Sequence, residues 1–209
     1  MSQDLSAVLI PAPPPWAASA GDGSATVDGV ITVGLAQGVT PSSWAQVPKA
    51  TLAHGRSFMA LDVRARISAV TGGNDANVYA SLRVCQSGST STGVLANLRL
   101  NGGSLALVAV GVSGGGTLGS TSTPSRSDIA SGQMWLRVVF VGLSVTLLWG
   151  IGSGGAEPTD WKIAATSTNT TSWTSIVFTT ACLALDTAPG GSPDAVSVEW
   201  SDVSVRGLW

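Results

Sequence analysis

The stretch Leu61-Asp62-Val63-Arg64-Ala65-Arg66-Ile67 alternates without a break. Leu61, Val63, Ala65 and Ile67 fall on one face, and Asp62, Arg64 and Arg66 on the other. A period of two marks a strand with one side in a core and the other turned outward. The pattern recurs on both sides of this stretch. Val78, Ala80, Leu82 and Val84 make a second apolar face, and Val94, Ala96, Leu98 and Leu100 a third. Leu105, Leu107 and Ala109 return after Asn101-Gly102, a pair that turns hairpins because both residues tolerate positive φ. Further on, Trp135 to Phe140 runs out, Val141 to Leu143 turns, and Ser144 to Trp149 runs back. Thr174 to Leu185 and Val196 to Arg206 read as the last strands. In the latter the alternation slips between Trp200 and Val203, as a β-bulge would make it. Gly111 to Arg126, Gly150 to Gly155 and Ala188 to Asp194 are rich in Gly, Ser, Thr or Pro and read as loops. No segment holds a helical period, so the chain is expected to be all-β, a sandwich or barrel.

Composition narrows the function classes. The 209 residues are 44% hydrophobic but only 11% charged, against a usual charged share of about a quarter. So few charges would fit a membrane protein, yet no apolar run approaches the roughly 20 residues of a membrane helix. Leu136 to Ile151, the longest strongly apolar stretch, is interrupted by Arg137, Gly142, Ser144 and Thr146. Polarity comes from Ser, Thr and Gly, which suits a surface that packs against neighbours, because charges are costly to desolvate at an interface. The net charge of −2, with Lys49 and Lys162 as the only lysines, allows no basic patch for nucleic acid. Residues 1–10 lack basic residues and a long apolar core, so no secretory signal is expected. Cys85 and Cys182 leave two readings open, a disulfide or two small buried residues.

Residues 1–23 are expected to be an extended arm ahead of a domain at 24–209. Pro13, Pro14 and Pro15 favour an extended polyproline conformation, and Ala17 to Gly23 is small and flexible. The arm is either a disordered end or a tie to a partner, with Trp16 as its anchor.

The C-terminal third carries an ordered set of short motifs. They are Met134-Trp135-Leu136-Arg137-Val138, a hairpin to Trp149 with a Gly-rich loop, Glu157-Pro158-Thr159-Asp160-Trp161, and Val198-Glu199-Trp200-Ser201-Asp202-Val203-Ser204-Val205. This set resembles the concanavalin A-like (laminin-G/lectin-type) jelly roll, in the version found in minor tail and fibre proteins of phages that infect actinobacteria. The resemblance covers residues 134–206, and the hairpins of 56–110 fit it. It implies a two-sheet antiparallel jelly-roll sandwich. It also implies a virion structural protein, a tail-tip, minor tail or fibre component assembled with other virion proteins as a homo-oligomer, a trimer for preference. Eight arginines against two lysines fit a high-GC host. A capsid decoration or head-fibre protein is the alternative within the virion. One departure is the turn Val141-Gly142-Leu143, where relatives carry Asp-Gly or Asn-Gly; its apolar side chains are expected to face a neighbouring subunit. Trp135 and Arg137 share a strand face, so Arg137 is expected to stack on a Trp or to pair with a carboxylate across the sheet. Pro158 lets the chain leave the sheet, and Trp161 is expected to cap the core edge.

Catalytic chemistry finds little purchase. Glycosidases on this fold place carboxylates as Glu-x-Asp-x-x-Glu so that two flank one bond, and no such string occurs. Glu199 and Asp202 are three apart and on a regular strand point to opposite sides, although a bulge would realign them. The single histidine, His54, precedes Gly55 in an expected loop, and no Gly-x-Ser-x-Gly elbow frames a serine. No cluster of metal ligands appears, and no cofactor is expected. Asn74 to Asn77 offers oxygens for calcium but reads better as an Asn/Asp turn. The remaining ligand class is a host-wall glycan. Sugars stack on exposed indoles, and Trp44, Trp161, Trp173 and Trp209 lie in loops or ends where they are available. Trp135, Trp149 and Trp200 sit in strand patterns and are expected to pack.

Overall fold

The computed structural model describes residues 16–58, 60–75, 77–86, 93–110, 122–141, 144–168, 178–187 and 193–208. Among the described residues, thirteen strands form two antiparallel sheets, a jelly-roll sandwich. They are β1 (Ala17–Ser19), β2 (Ser24–Asp28), β3 (Val30–Leu35), β4 (Lys49–Phe58), β5 (Ala60–Thr71), β6 (Val78–Gln86), β7 (Gly93–Arg99), β8 (Leu105–Val110), β9 (Met134–Val141), β10 (Ser144–Ile151), β11 (Lys162–Thr168), β12 (Phe178–Thr187) and β13 (Val196–Leu208). The six-stranded sheet runs β1-β4-β12-β6-β7-β8, and the seven-stranded sheet runs β11-β10-β9-β5-β13-β3-β2. The sheets approach each other along both sides, β11 beside β8 and β2 beside β1 and β4.

The alternating faces meet in the middle. Val63, Ala65 and Ile67 of β5 are fully buried, as are Ala80, Leu82 and Val84 of β6 and Val94, Ala96 and Leu98 of β7. Trp200 and Trp149 join this core. Burying apolar side chains of this size stabilises by about 1.5–3 kcal/mol each, so the inner faces hold the sandwich together. The slip in β13 is a bulge: its pairing with β5 skips between Ser201 and Ser204, and Asp202 has φ +51°. Trp200, Val203 and Val205 all turn inward as a result.

Three expectations change. Ala17–Ser19, read as flexible arm, pair with Thr51, Ala50 and Lys49 of β4, and Trp16 packs partly buried against the core. Unpaired edge groups on β4 are satisfied this way. Pro13, Pro14 and Pro15 lie outside the described residues. The expected loop at His54-Gly55 is instead the interior of β4. One short helix, α1 (Arg126–Ala130), follows Ser122–Ser125; Ser125 caps it through a reciprocal box with Asp128. Its Ile129 is buried, and Arg126 donates to the carbonyls of Gly72 and Leu100, tying the turns after β5 and β7 together.

Candidate functional site

Both sheets turn polar side chains outward, and the two outer faces are built differently. On the seven-stranded sheet, Asp62, Arg64 and Arg66 project from β5 beside Trp135 and Arg137 of β9. The register sets Arg64 directly opposite Arg137, a pairing of like charges that opposes the strands unless something lies between them. Asp62 does so. It accepts from Arg64 Nη2 at 2.7 Å, from Arg137 Nη2 at 2.8 Å and from Arg137 Nε at 3.0 Å. Burial alone would push the Asp62 carboxyl up, but hydrogen bonds and charge from Arg64 and Arg137 outweigh it and hold the pKa below the usual 3.8. Arg64 also donates to Glu157, and Arg206 stands 3.7 Å from the same carboxylate. Arg66 pairs with Asp202 at 2.7 Å and donates to the Gly132 carbonyl at 2.9 Å. Arg64, Arg137 and Arg206 thus form one network with Asp62 and Glu157, and Arg66 makes a separate pair with Asp202.

The segment after β10 covers part of this face. Pro158 is buried against Gly150, where an added Cβ would sit 2.7 Å from the ring. Gly152 passes close over Trp135, which is 3% exposed although it points away from the core. Trp161 was expected at the core edge; it lies instead on the outer face, its ring 5.5 Å from the Arg137 guanidinium. Arg137 therefore pairs across the sheet and also stacks, on Trp161 rather than Trp135. The bulge brings Asp202 to the same outer face as Glu199, but Arg66 and Ser201 occupy Asp202. The Glu199 carboxylate has no hydrogen bond or ion pair among the described residues, its backbone carbonyl accepts from the Ser68 hydroxyl, and its neighbour across the bulge is paired with Arg66.

The six-stranded sheet presents a different set. Successive rows across β4, β12, β6 and β7 carry Thr51, Cys182, Arg83 and Leu95; then Lys49, Ala184, Ser81 and Asn97; then Asp186, Tyr79 and Arg99. Ser81, Cys182 and Ala184 are fully buried although they face away from the core. Trp44 lies over this face with the Arg83 guanidinium 4.1 Å from its ring centre. Its Nε1 is buried and lacks a partner among the described residues. Lys49 Nζ donates to the carbonyls of Trp44, Ala45 and Val47 at 2.8, 3.2 and 3.0 Å, which fastens the 44–47 turn to β4. Burial, with Arg83 nearby, lowers the Lys49 pKa. Burial also raises that of Asp186; the Thr187 N–H and the charges of Arg83 and Lys49 offset it only in part. Arg99 donates to the Tyr79 hydroxyl at 3.3 Å.

The tryptophans expected to bind sugar do not converge. Trp44 and Trp161 lie on opposite sheets, each engaged by a cation, and Trp173 and Trp209 lie outside the described residues. Trp135, Trp149 and Trp200 are buried, as expected. Cys182 is buried and not in a disulfide, its thiol 3.6 Å from Thr51 Oγ1. In the turn at Asn74 to Asn77, Asp75 accepts from the Asn77 N–H at 2.6 Å, the Asx-turn reading. No group of three metal-ligating side chains occurs among the described residues. None of their helices is long and apolar enough to cross a membrane. Tyr79, Asn97, Arg99 and Asp186 were not singled out from sequence. The only signal for them was their outward phase in strands whose inner phase is apolar.

No protein-family model matches the chain, and no curated protein matches it. Solved structures do. A functionally unknown protein from Saccharomyces cerevisiae superposes with a TM-score of 0.57 at 13% identity, over 93% of this chain and 97% of that one. An alginate lyase of polysaccharide lyase family 7 gives 0.56 at 9% identity over 88% and 82%. The binding domain of botulinum neurotoxin serotype C1 gives 0.51 at 13% identity over 93% of this chain but 45% of that one. At these identities the likeness is one of fold, shared by enzymes and binding domains alike.

Proposed function

We propose that this chain is a non-catalytic virion component of a bacteriophage, a minor tail, tail-tip or fibre protein that serves assembly and host-surface attachment. The observation that carries the reading is the meeting of its separated C-terminal motifs on one sheet face. The Trp135 to Val138 strand, the Glu157 to Trp161 segment and the Asp202 bulge join through Asp62, Arg64, Arg66 and Arg137. These are the motifs that resemble the phage tail and fibre jelly rolls, and here they latch a loop onto a sheet. In that role the carboxylates are spent on arginines, which supports a structural over a hydrolytic part. Val141, at the apolar turn, is 59% exposed and suits contact with a neighbouring subunit.

Purified virions test this directly. Mass spectrometry should find the chain in intact particles, and immunogold should place it on the tail. Label on the capsid would move it to a head decoration, the runner-up reading. Its absence from particles would overturn the proposal.

A further inference from the structure

The outward face of β6 and β7 is short of acceptors. The hydroxyl of buried Ser81 donates to Asn97 Oδ1 at 2.6 Å, which leaves the Asn97 amide N–H groups to donate elsewhere. Tyr79 Oη accepts from Arg99 Nη2 at 3.3 Å, so the tyrosine's own O–H is also left to donate. The Arg99 guanidinium lies 5.7 Å from the Tyr79 ring centre, and no carboxylate among the described residues pairs with it; its Nε is buried, so the Nη groups are the ones that can reach a ligand. Asn97 and Arg99 are two apart on one strand face, about 6.6 Å at the usual rise, with Tyr79 directly across from Arg99. Three half-buried side chains therefore aim donors at one patch. Asp186, across Tyr79 on β12, accepts from the Thr187 N–H through Oδ1, and the charges of Arg83 and Lys49 act on its carboxylate. Lys49 and Arg83, on neighbouring rows, add positive potential.

We propose that this patch binds an oxyanion, the carboxylate or phosphate group of a ligand, with Arg99 as its charged fork and Tyr79 and Asn97 as flanking donors. A planar guanidinium matches two oxygens of such a group, and charge-assisted bonds are roughly twice as strong as neutral ones. A neutral sugar needs acceptors as well as donors, and the patch has few to spare. The anion is either a free ion or a group carried on an acidic glycan. The inference stands apart from the virion proposal, because it concerns only the chemistry of the sheet face.

The test is calorimetric titration of the full chain with inorganic phosphate, with polygalacturonate and with dextran as a neutral control. At least one anion should bind while dextran does not, and added salt should weaken the binding. Phosphate binding points to a free ion; polygalacturonate binding without phosphate places the anion on a polymer. Arg99→Gln should weaken binding by about tenfold or more and Tyr79→Phe by about threefold. Arg206→Gln, on the other sheet, should leave it unchanged. No binding of either anion, or Arg99→Gln binding as the parent does, would overturn the proposal. Should Arg99→Gln fail to fold by circular dichroism, Tyr79→Phe decides, and an unchanged affinity there counts against it.

Discussion

The outer faces of the two sheets use similar residues to opposite ends. On the seven-stranded sheet each guanidinium reaches a carboxylate: Arg64 and Arg137 share Asp62, Arg64 and Arg206 share Glu157, and Arg66 holds Asp202. On the six-stranded sheet Lys49, Arg83 and Arg99 accompany one carboxylate among the described residues, Asp186, whose Oδ1 accepts from the Thr187 N–H. Burial acts on both Asp62 and Asp186. It is overcome by two arginines at Asp62, whose pKa falls, and prevails at Asp186, whose pKa rises. The first face pairs its charges within the chain and works as a latch, although Trp135 Nε1, Ser204 Oγ and Arg206 Nε are buried there without a partner among the described residues. The second keeps donors for something outside the chain. A fold shared by a lyase and a toxin binding domain does not say which of its faces is used; the pairing of charges on each face is the guide.

The largest expected effect comes from breaking the latch. Asp62→Ala leaves Arg64 opposite Arg137 with no carboxylate between them and should cost about 3 kcal/mol in urea unfolding. A smaller loss, about 1–3 kcal/mol, is expected for Gly152→Ala. Its methyl would sit 2.0 Å from the Ala156 carbonyl oxygen and 2.9 Å from Trp135 Nε1, so the loop would have to lift from the sheet. Smaller again is the response to acid. Asp186, with a raised folded pKa, loses stability as pH rises from 3.8 through that value, so mild acidification should return a little. Asp62, with a lowered folded pKa, gives stability that is complete above 3.8 and lost as pH falls through its folded value. Stability followed from neutral pH downward should therefore rise slightly before it falls, and Asp186→Asn should abolish the rise. The smallest effect is at Cys182, buried and inert: iodoacetamide should leave it unlabelled in the native chain and label it after unfolding, as read by peptide mapping.

The inner faces were legible from sequence because a period of two reports which side of a strand is apolar. Leu61 to Ile67 therefore predicted both the core of β5 and the outward phase of Asp62, Arg64 and Arg66. Partners across strands were not legible, since they depend on register. That Arg64 meets Arg137, and that Asp62 lies between them, follows only from the β5–β9 pairing. The bulge at Asp202 was visible as a slip in apolar spacing, whereas its capture by Arg66 was not. β4 was missed because His54-Gly55 reads as a loop. β11 was missed because Ala164 and Ala165 are both buried and adjacent, where its register with β10 shifts. β1 is three small residues with no pattern to show, and it is a strand because β4 needs a neighbour. The indoles drew attention as sugar platforms by residue type alone; the structure spends Trp44 on Arg83 and Trp161 on Arg137.

The contrast between a face whose charges are paired and one that holds an unpaired guanidinium is tested most directly by removing one negative charge from each. Urea unfolding at pH 7 of the parent chain, Asp62→Asn and Asp186→Asn should give shifts of opposite sign. Asp62→Asn should lose stability, because two arginines lose their shared anion. Asp186→Asn should gain stability, because the amide oxygen still accepts from the Thr187 N–H while the buried charge is gone. A loss of similar size in both variants would show that the two faces are held in the same way and would contradict the account.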